Sequence, residues 1–129
     1  MNIRHADAVR DHIRSGALPE YKPAVSWQED QQPFTDVNES IIYCRQEGRP
    51  VDAFVRQVSV TIYVFSKAGA TNADMSALYS DAVTALEYAK GNPNVSDDLK
   101  ITVSNDVSGE LYTGQNRRYY TFQVLCYSS

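Results

Sequence analysis

The sequence predicts one α+β domain: two helices packed on one face of a mostly antiparallel mixed sheet of about four strands, in the order α-β-β-α-β-β. Two observations support this prediction. Residues Phe54 to Ser66 alternate apolar and polar side chains, which is typical of a strand with one face on a core. Residues Asp74 to Lys90 repeat apolar side chains at three- and four-residue steps, which is typical of an amphipathic helix. With 129 residues, 43% of them hydrophobic, the chain is long enough for a single domain over residues 1–129 that needs no disulfides or metals.

The first helix is predicted from Ile3 to Ser15, with Gly16 at its end. Its apolar side consists of Ala6, Val9, Ile13 and Ala17. Two pairs at three-residue spacing support a solvated opposite face, Asp7 with Arg10 and Asp11 with Arg14. His5 and His12 lie two turns apart with no third ligand in view, so we interpret them as solvent-facing or packing histidines rather than a metal site.

Residues 18–40 form a long polar segment that three prolines interrupt, and we expect it to be a flexible arm. Trp27 and Phe34 are its largest apolar side chains. Either they hold the arm on its own domain, or they bind a neighbouring subunit or partner, because aromatic residues serve both purposes.

A hairpin should follow the arm. Ile41 to Arg45 is predicted as a short strand, Glu47 to Pro50 as a turn, and the long alternating segment as the second strand. Its core-facing residues are predicted to be Val58, Val60, Ile62 and Val64. The other side of that strand becomes aromatic at Tyr63 and Phe65, so we expect a cover over its end, for which a neighbouring subunit would serve.

The second helix has signals at both ends. Thr71 and Asp74 have the spacing of a capping box, with Asp in place of the usual Glu. Lys90, Gly91 and Pro93 form the predicted stop, in which glycine would take the left-handed conformation. The predicted apolar stripe consists of Met75, Leu78, Tyr79, Ala82, Ala85, Leu86 and Ala89.

Two further strands complete the predicted sheet. Residues 99–111 alternate as a strand that bends near residues 105–109, and the last strand has its apolar side at Tyr120, Phe122, Val124 and Cys126. Pairing these faces predicts Leu111 opposite Tyr120 and Val107 opposite Val124, with a turn at residues 114–117. A bulge at the bend would shift the inner part of this register by one residue.

Composition excludes several classes of function. A net charge of -4 argues against a protein that binds nucleic acid by neutralising phosphates. No stretch approaches the ~20 apolar residues of a membrane span, and the first residues do not have the pattern of a secretory signal, so we expect a soluble protein made in the cytosol. Cys44 and Cys126 are too few for a disulfide framework or a zinc site and are interpreted as buried reduced thiols. None of the common nucleophile, phosphate-binding or metalloprotease motifs occurs. The sequence therefore predicts neither an enzyme nor a cofactor.

Nine tyrosines among 129 residues point instead to protein interfaces, since tyrosine combines a large contact area with a hydrogen-bonding tip. Ordinary use of tyrosine in strands accounts for about half of them.

Three segments resemble the tail terminator, or tail completion, proteins of long-tailed bacteriophages, the group that includes the minor tail protein U of lambdoid phages. They are RQVSVTIYVF (Arg56 to Phe65), SALYSDAVTALEYA (Ser76 to Ala89) and YYTFQVLCY (Tyr119 to Tyr127). The resemblance implies a non-enzymatic structural protein of the virion tail, assembled in the host cytoplasm. It would form a ring, typically a hexamer, that ends tail-tube polymerisation and provides the docking surface for the head. Its partners would be other copies of itself, the tail-tube protein and the head–tail connector proteins.

The residues expected at subunit or tail contacts are Tyr63, Phe65, Tyr112, Arg117, Arg118, Tyr119, Trp27 and Phe34. Arg117 and Arg118 are expected at a hairpin tip, where a polar contact to a partner is favourable. Two alternatives stay open from the sequence. One is a small ferredoxin-like ligand-binding or regulatory module, and the other is a small enzyme without recognisable motifs.

Overall fold

A computed structural model describes residues 5–24, 39–47, 56–112 and 117–128. The elements in chain order are α1 (His5–Gly16), β1 (Lys22–Ala24), β2 (Ile41–Glu47), β3 (Arg56–Phe65), α2 (Asn72–Gly91), β4 (Leu99–Val103), β5 (Ser108–Tyr112) and β6 (Arg117–Ser128).

The strands form one open mixed sheet in the order β1-β2-β3-β6-β4, with β5 also paired to β6. Among the described strands, only the β1–β2 pair is parallel. The predicted α+β class with two helices is therefore confirmed, whereas the predicted count of about four strands is wrong, because the described part of the chain has six. β1 has three residues and contains a proline, so it shows no alternation, and one predicted bent strand is in fact β4 and β5.

The predicted hairpin of β2 and β3 is confirmed. The two strands pair antiparallel, with Ile41 opposite Phe65 and Glu47 opposite Ser59. The predicted core residues of β3 are all buried, namely Val58, Val60, Ile62 and Val64. The turn predicted at residues 47–50 lies outside the described residues except for Glu47, which still belongs to β2.

β4 and β5 both pair with the edge of β6 that faces away from β3. Val103 lies opposite Val124 and Gly109 lies opposite Tyr120, so the predicted register is wrong. Four residues, 104–107, separate β4 from β5, whereas only Phe122 and Gln123 separate their partners on β6. The bend therefore adds two residues to one side of the ladder, rather than the single residue of a simple bulge.

The side chains at this bend replace the missing ladder contacts. Gln123 N donates to Oδ1 of Asn105 at 2.6 Å, and Gln123 O accepts from Ser104 N and Oγ at 2.9 and 3.1 Å. The side-chain oxygen of Asn105 thereby takes the place of a main-chain acceptor. Both main-chain groups of Gln123 remain hydrogen-bonded at the gap between β4 and β5.

Both helices pack on the same face of the sheet, as predicted; we call it the inner face and the opposite one the outer face. The core between helices and sheet includes Val9 and Ile13 from α1, and Ala82 and Leu86 from α2. The described part of the predicted arm also packs here, because Leu18 and Tyr21 are buried in this core. The Tyr21 hydroxyl donates to Asp81 Oδ2 at 2.7 Å, which links this segment to α2.

α1 contacts α2 through a glycine and a histidine. A Cβ built on Gly16 would overlap the ring of Tyr88, so this ring takes its position against α1 because residue 16 has no side chain. The His12 ring lies 5.2 Å from the Tyr88 ring, and His12 Nε2 lies 2.9 Å from Asn92 O. His12 is thus a packing histidine, as predicted. Within the described ranges, no group of three or more His, Cys, Asp or Glu side chains is arranged to hold a metal ion.

Arg10 contradicts the prediction of a solvated helix face. Its guanidinium is largely buried and bonds Asp7 Oδ1 at 3.0 Å, Asp11 Oδ1 at 3.1 Å and the main-chain oxygen of Ala24 at 3.0 Å. The predicted Asp7–Arg10 pair exists, but it lies where α1 meets β1. Arg14, the predicted partner of Asp11, donates through Nε to Tyr21 O at 2.6 Å.

α2 begins as predicted, with a reciprocal capping box between Thr71 and Asp74. Its end differs from the prediction. Gly91 is still helical, and the C-cap is Asn92, whose φ of −132° is not left-handed. Asn92 Nδ2 donates to Tyr88 O at 2.9 Å and so satisfies a carbonyl of the last turn. Neither described helix is long and apolar enough to cross a membrane.

Candidate interface on the sheet

The outer face of the sheet carries an aromatic cluster where β2, β3 and β6 meet. Odd-numbered residues of these strands point to this face, so Tyr43, Tyr63, Phe65 and Tyr119 come together. Ring centroids of Phe65 and Tyr119 are 4.9 Å apart, those of Tyr43 and Tyr63 5.6 Å, and those of Tyr63 and Tyr119 5.8 Å. Three of the predicted contact residues thus belong to one packed group.

This aromatic cluster is a second small core. Phe65 is 0% exposed and Tyr43 is buried, while Tyr63 and Tyr119 are partly buried, and Ala24 of β1 packs against the group. The single chain therefore covers Phe65 without a neighbouring subunit, which corrects its assignment as a contact residue. The alternating pattern located the aromatic side correctly but could not show what covers it.

Arg45 lies over the aromatic cluster. Its guanidinium carbon is 5.6 Å from the centroid of the Tyr43 ring and 5.4 Å from that of Tyr63. Both distances are within the range of a cation–π contact. Sequence reasoning missed this residue, although Arg45 follows Tyr43 by two positions and therefore lies on the same face of β2.

Arg117 is fully buried, at 0% exposure. Its Nη1 donates to the main-chain oxygens of Ser66 at 2.8 Å and Glu39 at 3.0 Å. These carbonyls lie just after β3 and just before β2, so the guanidinium joins the ends of two strands. The expectation of a hairpin-tip side chain that reaches a partner is wrong for Arg117, because β6 already begins there and directs it to the outer face, beside the aromatic cluster.

Arg118 is exposed and points to the opposite face from Arg117, and its expected contact to a partner stays a prediction. Its main-chain N and O bond Ser66 Oγ at 3.0 Å and Ser66 N at 2.8 Å. Tyr112 ends β5 opposite Arg117, and its side chain lies outside the described part of the structure. Trp27 and Phe34 also lie outside the described residues.

A more accessible surface lies at the other end of the outer face, and we call it the outer patch. It consists of Ser59, Thr102, Leu125 and Tyr127, which share this face on β3, β4 and β6. Tyr127 is 37% exposed, Thr102 is exposed, and Ser59 and Leu125 are half-buried. Tyr127 belongs to the strand on which the family resemblance was based, yet sequence reasoning did not select it, because nothing in the alternation distinguishes a covered from an uncovered aromatic.

The cysteines do not have the surroundings of reactive groups. Both are free thiols inside the core. Burial raises the pKa of Cys44, and burial raises the pKa of Cys126 to about 12, so thiolate is scarce at neutral pH. Reactive cysteines show the opposite, a lowered pKa at a partly exposed position. The prediction of buried reduced thiols is confirmed.

Comparison with protein-family models found no match for this chain, and a search of curated proteins found no significant relative. Function is therefore inferred from the sequence pattern and the geometry of the chain itself.

Proposed function

We propose that the protein is a structural subunit of a bacteriophage tail, which caps the tail tube, ends its polymerisation and provides the docking surface for the head. The observation that carries this proposal is the outer patch, where Leu125 and Tyr127 stand partly accessible among small polar side chains. An aromatic residue with a polar rim is the usual composition of a protein contact. The resemblance of β3, α2 and β6 to tail terminator proteins supports a phage tail as the assembly in which this contact forms.

The subunits are proposed to form a closed ring, in which each copy uses one surface to bind a different surface of the next. Such heterologous contacts close into rings when the rotation between copies is uniform. A hexamer is the ring size that the family resemblance implies. The tail-tube protein and the head–tail connector would bind the two opposite sides of such a ring.

The structure changes which residues are proposed as contacts. Phe65 and Arg117 are internal and are proposed to hold the aromatic cluster and the strand ends in place. Arg118 and Tyr127 are exposed and remain available to a partner. The proposed contacts are therefore Arg118 together with the outer patch.

Genetic complementation tests this proposal. A phage lacking the gene would be supplied with the wild-type chain, with Tyr127→Ser, or with Glu87→Ala, a control at an exposed position of α2. We expect the wild type and Glu87→Ala to restore normal virions. Tyr127→Ser should fold with an unchanged circular dichroism spectrum yet yield overlong tails or unjoined heads and tails.

Two outcomes would contradict the proposal at different levels. Normal virions from Tyr127→Ser would remove the outer patch from the interface. Normal tails after deletion of the whole gene would reject the tail-cap function itself and favour the ligand-binding or regulatory alternative.

A further inference from the structure

The edges of the sheet differ in how they are protected. The β1 edge is only three residues long, and Pro23, whose main-chain groups face away from β2, has no N–H to offer. At the β4 edge, residues 93–96 lie alongside the strand: Ile101 N donates to Pro93 O at 2.8 Å, and Val95 N donates to Leu99 O at 3.0 Å. Both edges are thus blocked in ways that commonly prevent pairing with another chain.

The hydrogen bonds of β6 show which way the backbone groups of β5 point. Gln123 N and O bond the bend between β4 and β5, whereas Arg118 N and O bond Ser66 at the end of β3. Directions alternate along a strand, so the odd-numbered residues of β6 face β5. Their partners are Ser108, Glu110 and Tyr112, opposite Thr121, Tyr119 and Arg117.

The intervening residues, Gly109 and Leu111, therefore direct their N–H and C=O groups away from the sheet. Among the described residues, no turn, loop or cap hydrogen bond involves the backbone of either residue. Four ladder groups on one side of a strand form a template for one further strand, because their spacing matches only another extended backbone.

Gly109 also leaves room beside this edge. A Cβ at Gly109 would lie 2.9 Å from Cε1 of Tyr120, so the Tyr120 ring leans over the glycine. Tyr79, which sequence analysis had placed on the apolar stripe of α2, is 50% exposed and meets Tyr120 edge-on at 5.4 Å. A strand added at β5 would place a side chain next to Gly109, on the same face as these two rings.

We propose that the outer edge of β5 binds an extended segment of a second protein by strand addition, with an apolar side chain of that segment against Tyr120 and Tyr79. This inference rests on the proposed tail function, in which the tail-tube protein is the partner. Another copy of this chain fits less well. Its β1 and β4 edges are blocked, and β5 paired with β5 would close a two-fold dimer rather than a ring.

Amide hydrogen exchange, read residue by residue by NMR, tests the inference on the wild-type chain with and without purified tail-tube protein. In the free protein, the amides of Gly109 and Leu111 should exchange faster than those of Ser108, Glu110 and Tyr112. Added tail-tube protein should slow Gly109 and Leu111 by at least about tenfold, as expected when an exposed amide enters a ladder.

A matched pair of variants isolates the backbone contribution. Leu111→Ala and Leu111→Pro both remove the leucine side chain, but only proline removes the outward N–H. Leu111→Pro should therefore bind the tail-tube protein about tenfold more weakly than Leu111→Ala, the equivalent of one hydrogen bond. If Leu111→Pro does not fold, the exchange measurement on the wild type decides alone.

The possible failures are distinct. Binding of the tail-tube protein without protection of Gly109 and Leu111 overturns the strand-addition inference and leaves the tail function standing. Slow exchange of both amides in the free monomer overturns it too, because the edge would already be occupied. Protection that grows with protein concentration alone would identify another copy as the occupant and reject the one proposed here. Failure of the wild type to bind the tail-tube protein rejects the tail function, and the occupant with it.

Discussion

Nη1 of Arg117 lies 2.8 Å from the main-chain oxygen of Ser66, and this hydrogen bond is buried. The same nitrogen donates to Glu39 O at 3.0 Å. One guanidinium thus satisfies carbonyls that follow β3 and precede β2, where the ladder of the sheet ends. Arg117, which the sequence predicted as a surface contact, instead stabilises the ends of β2 and β3 inside the domain.

Arg117→Ala should lower the free energy of unfolding by about 3 kcal/mol, because the buried carbonyl of Ser66 and the part-buried carbonyl of Glu39 would lose a charged donor. Chemical denaturation monitored by circular dichroism measures the change. Arg118→Ala is the matched control, since that side chain is exposed, and it should change stability by no more than about 0.5 kcal/mol. Equal effects of the two substitutions would contradict the framework role of Arg117.

Gly16→Ala should destabilise the protein by about 2 kcal/mol, because the new methyl group would force the Tyr88 ring away from α1. Gly91→Ala provides a comparison within α2. Nothing lies within 4 Å of a Cβ built there, and the residue is helical, so alanine should stabilise by about 0.5 kcal/mol. Thermal denaturation of the two variants measures both effects. A neutral Gly16→Ala would show that the Tyr88 ring can move away from α1 without loss of stability.

Asn105→Ala should lower stability by about 1.5 kcal/mol, because Gln123 N would lose its acceptor at the bend between β4 and β5. Asn105→Asp retains an oxygen at Oδ1 and loses only the longer bond from Nδ2 to Gln123 Oε1, at 3.4 Å. It should therefore cost less than the alanine variant. If the two variants are equally unstable, the acceptor role of Asn105 is wrong.

Thr71→Ala should cost about 1 kcal/mol at neutral pH, the usual effect of removing an N-cap hydroxyl. The backbone N–H of Thr71 and then its hydroxyl hold the pKa of Asp74 below its usual value. A carboxylate with a lowered folded pKa stabilises fully above its unfolded pKa of about 3.9 and loses that contribution as pH falls through the folded value. The stability difference between wild type and variant should therefore shrink in acid.

An NMR titration of the Asp74 carboxyl checks the cause. In Thr71→Ala its pKa should rise toward the ordinary value, because one of two hydrogen bonds to the carboxylate is gone. Ser76→Ala, at an exposed position of the same helix, should leave the titration unchanged. A titration identical in wild type and Thr71→Ala would show that the hydroxyl does not contribute.

The sequence predicted β3 and α2 correctly, because alternation of apolar residues defines the first and a capping box marks the start of the second. The four aliphatic residues of β3 that begin at Val58 alternate strictly, and the helix from Asn72 to Gly91 begins at the predicted capping box. Local hydrophobic pattern and capping chemistry are short-range properties, so a single sequence contains them.

The features that sequence reasoning missed depend on distant residues. Arg10 was assigned to solvent because its neighbours on α1 are charged, but β1 covers it. At the bend beside β6, the side chain of Asn105 accepts the hydrogen bond that a main-chain oxygen would otherwise accept. Secondary-structure propensities do not predict such a side-chain acceptor. Among the candidate contact residues, alternation placed Phe65 and Tyr119 on the correct face but could not distinguish a second core from an interface.

β6 also follows the other described strands in the sequence, and it lies inside the sheet. It pairs with β3 along one side, with Arg56 opposite Ser128, and with both β4 and β5 along the other. On the ribosome, the earlier strands would wait for their central neighbour, and β3 would keep an unpaired edge until residues 117–128 emerge from the exit tunnel. Until these residues are available, the unpaired edge of β3 makes the nascent chain prone to aggregation. A chain released before they are synthesised would have a sheet without its central strand, and such a sheet can pair with other chains.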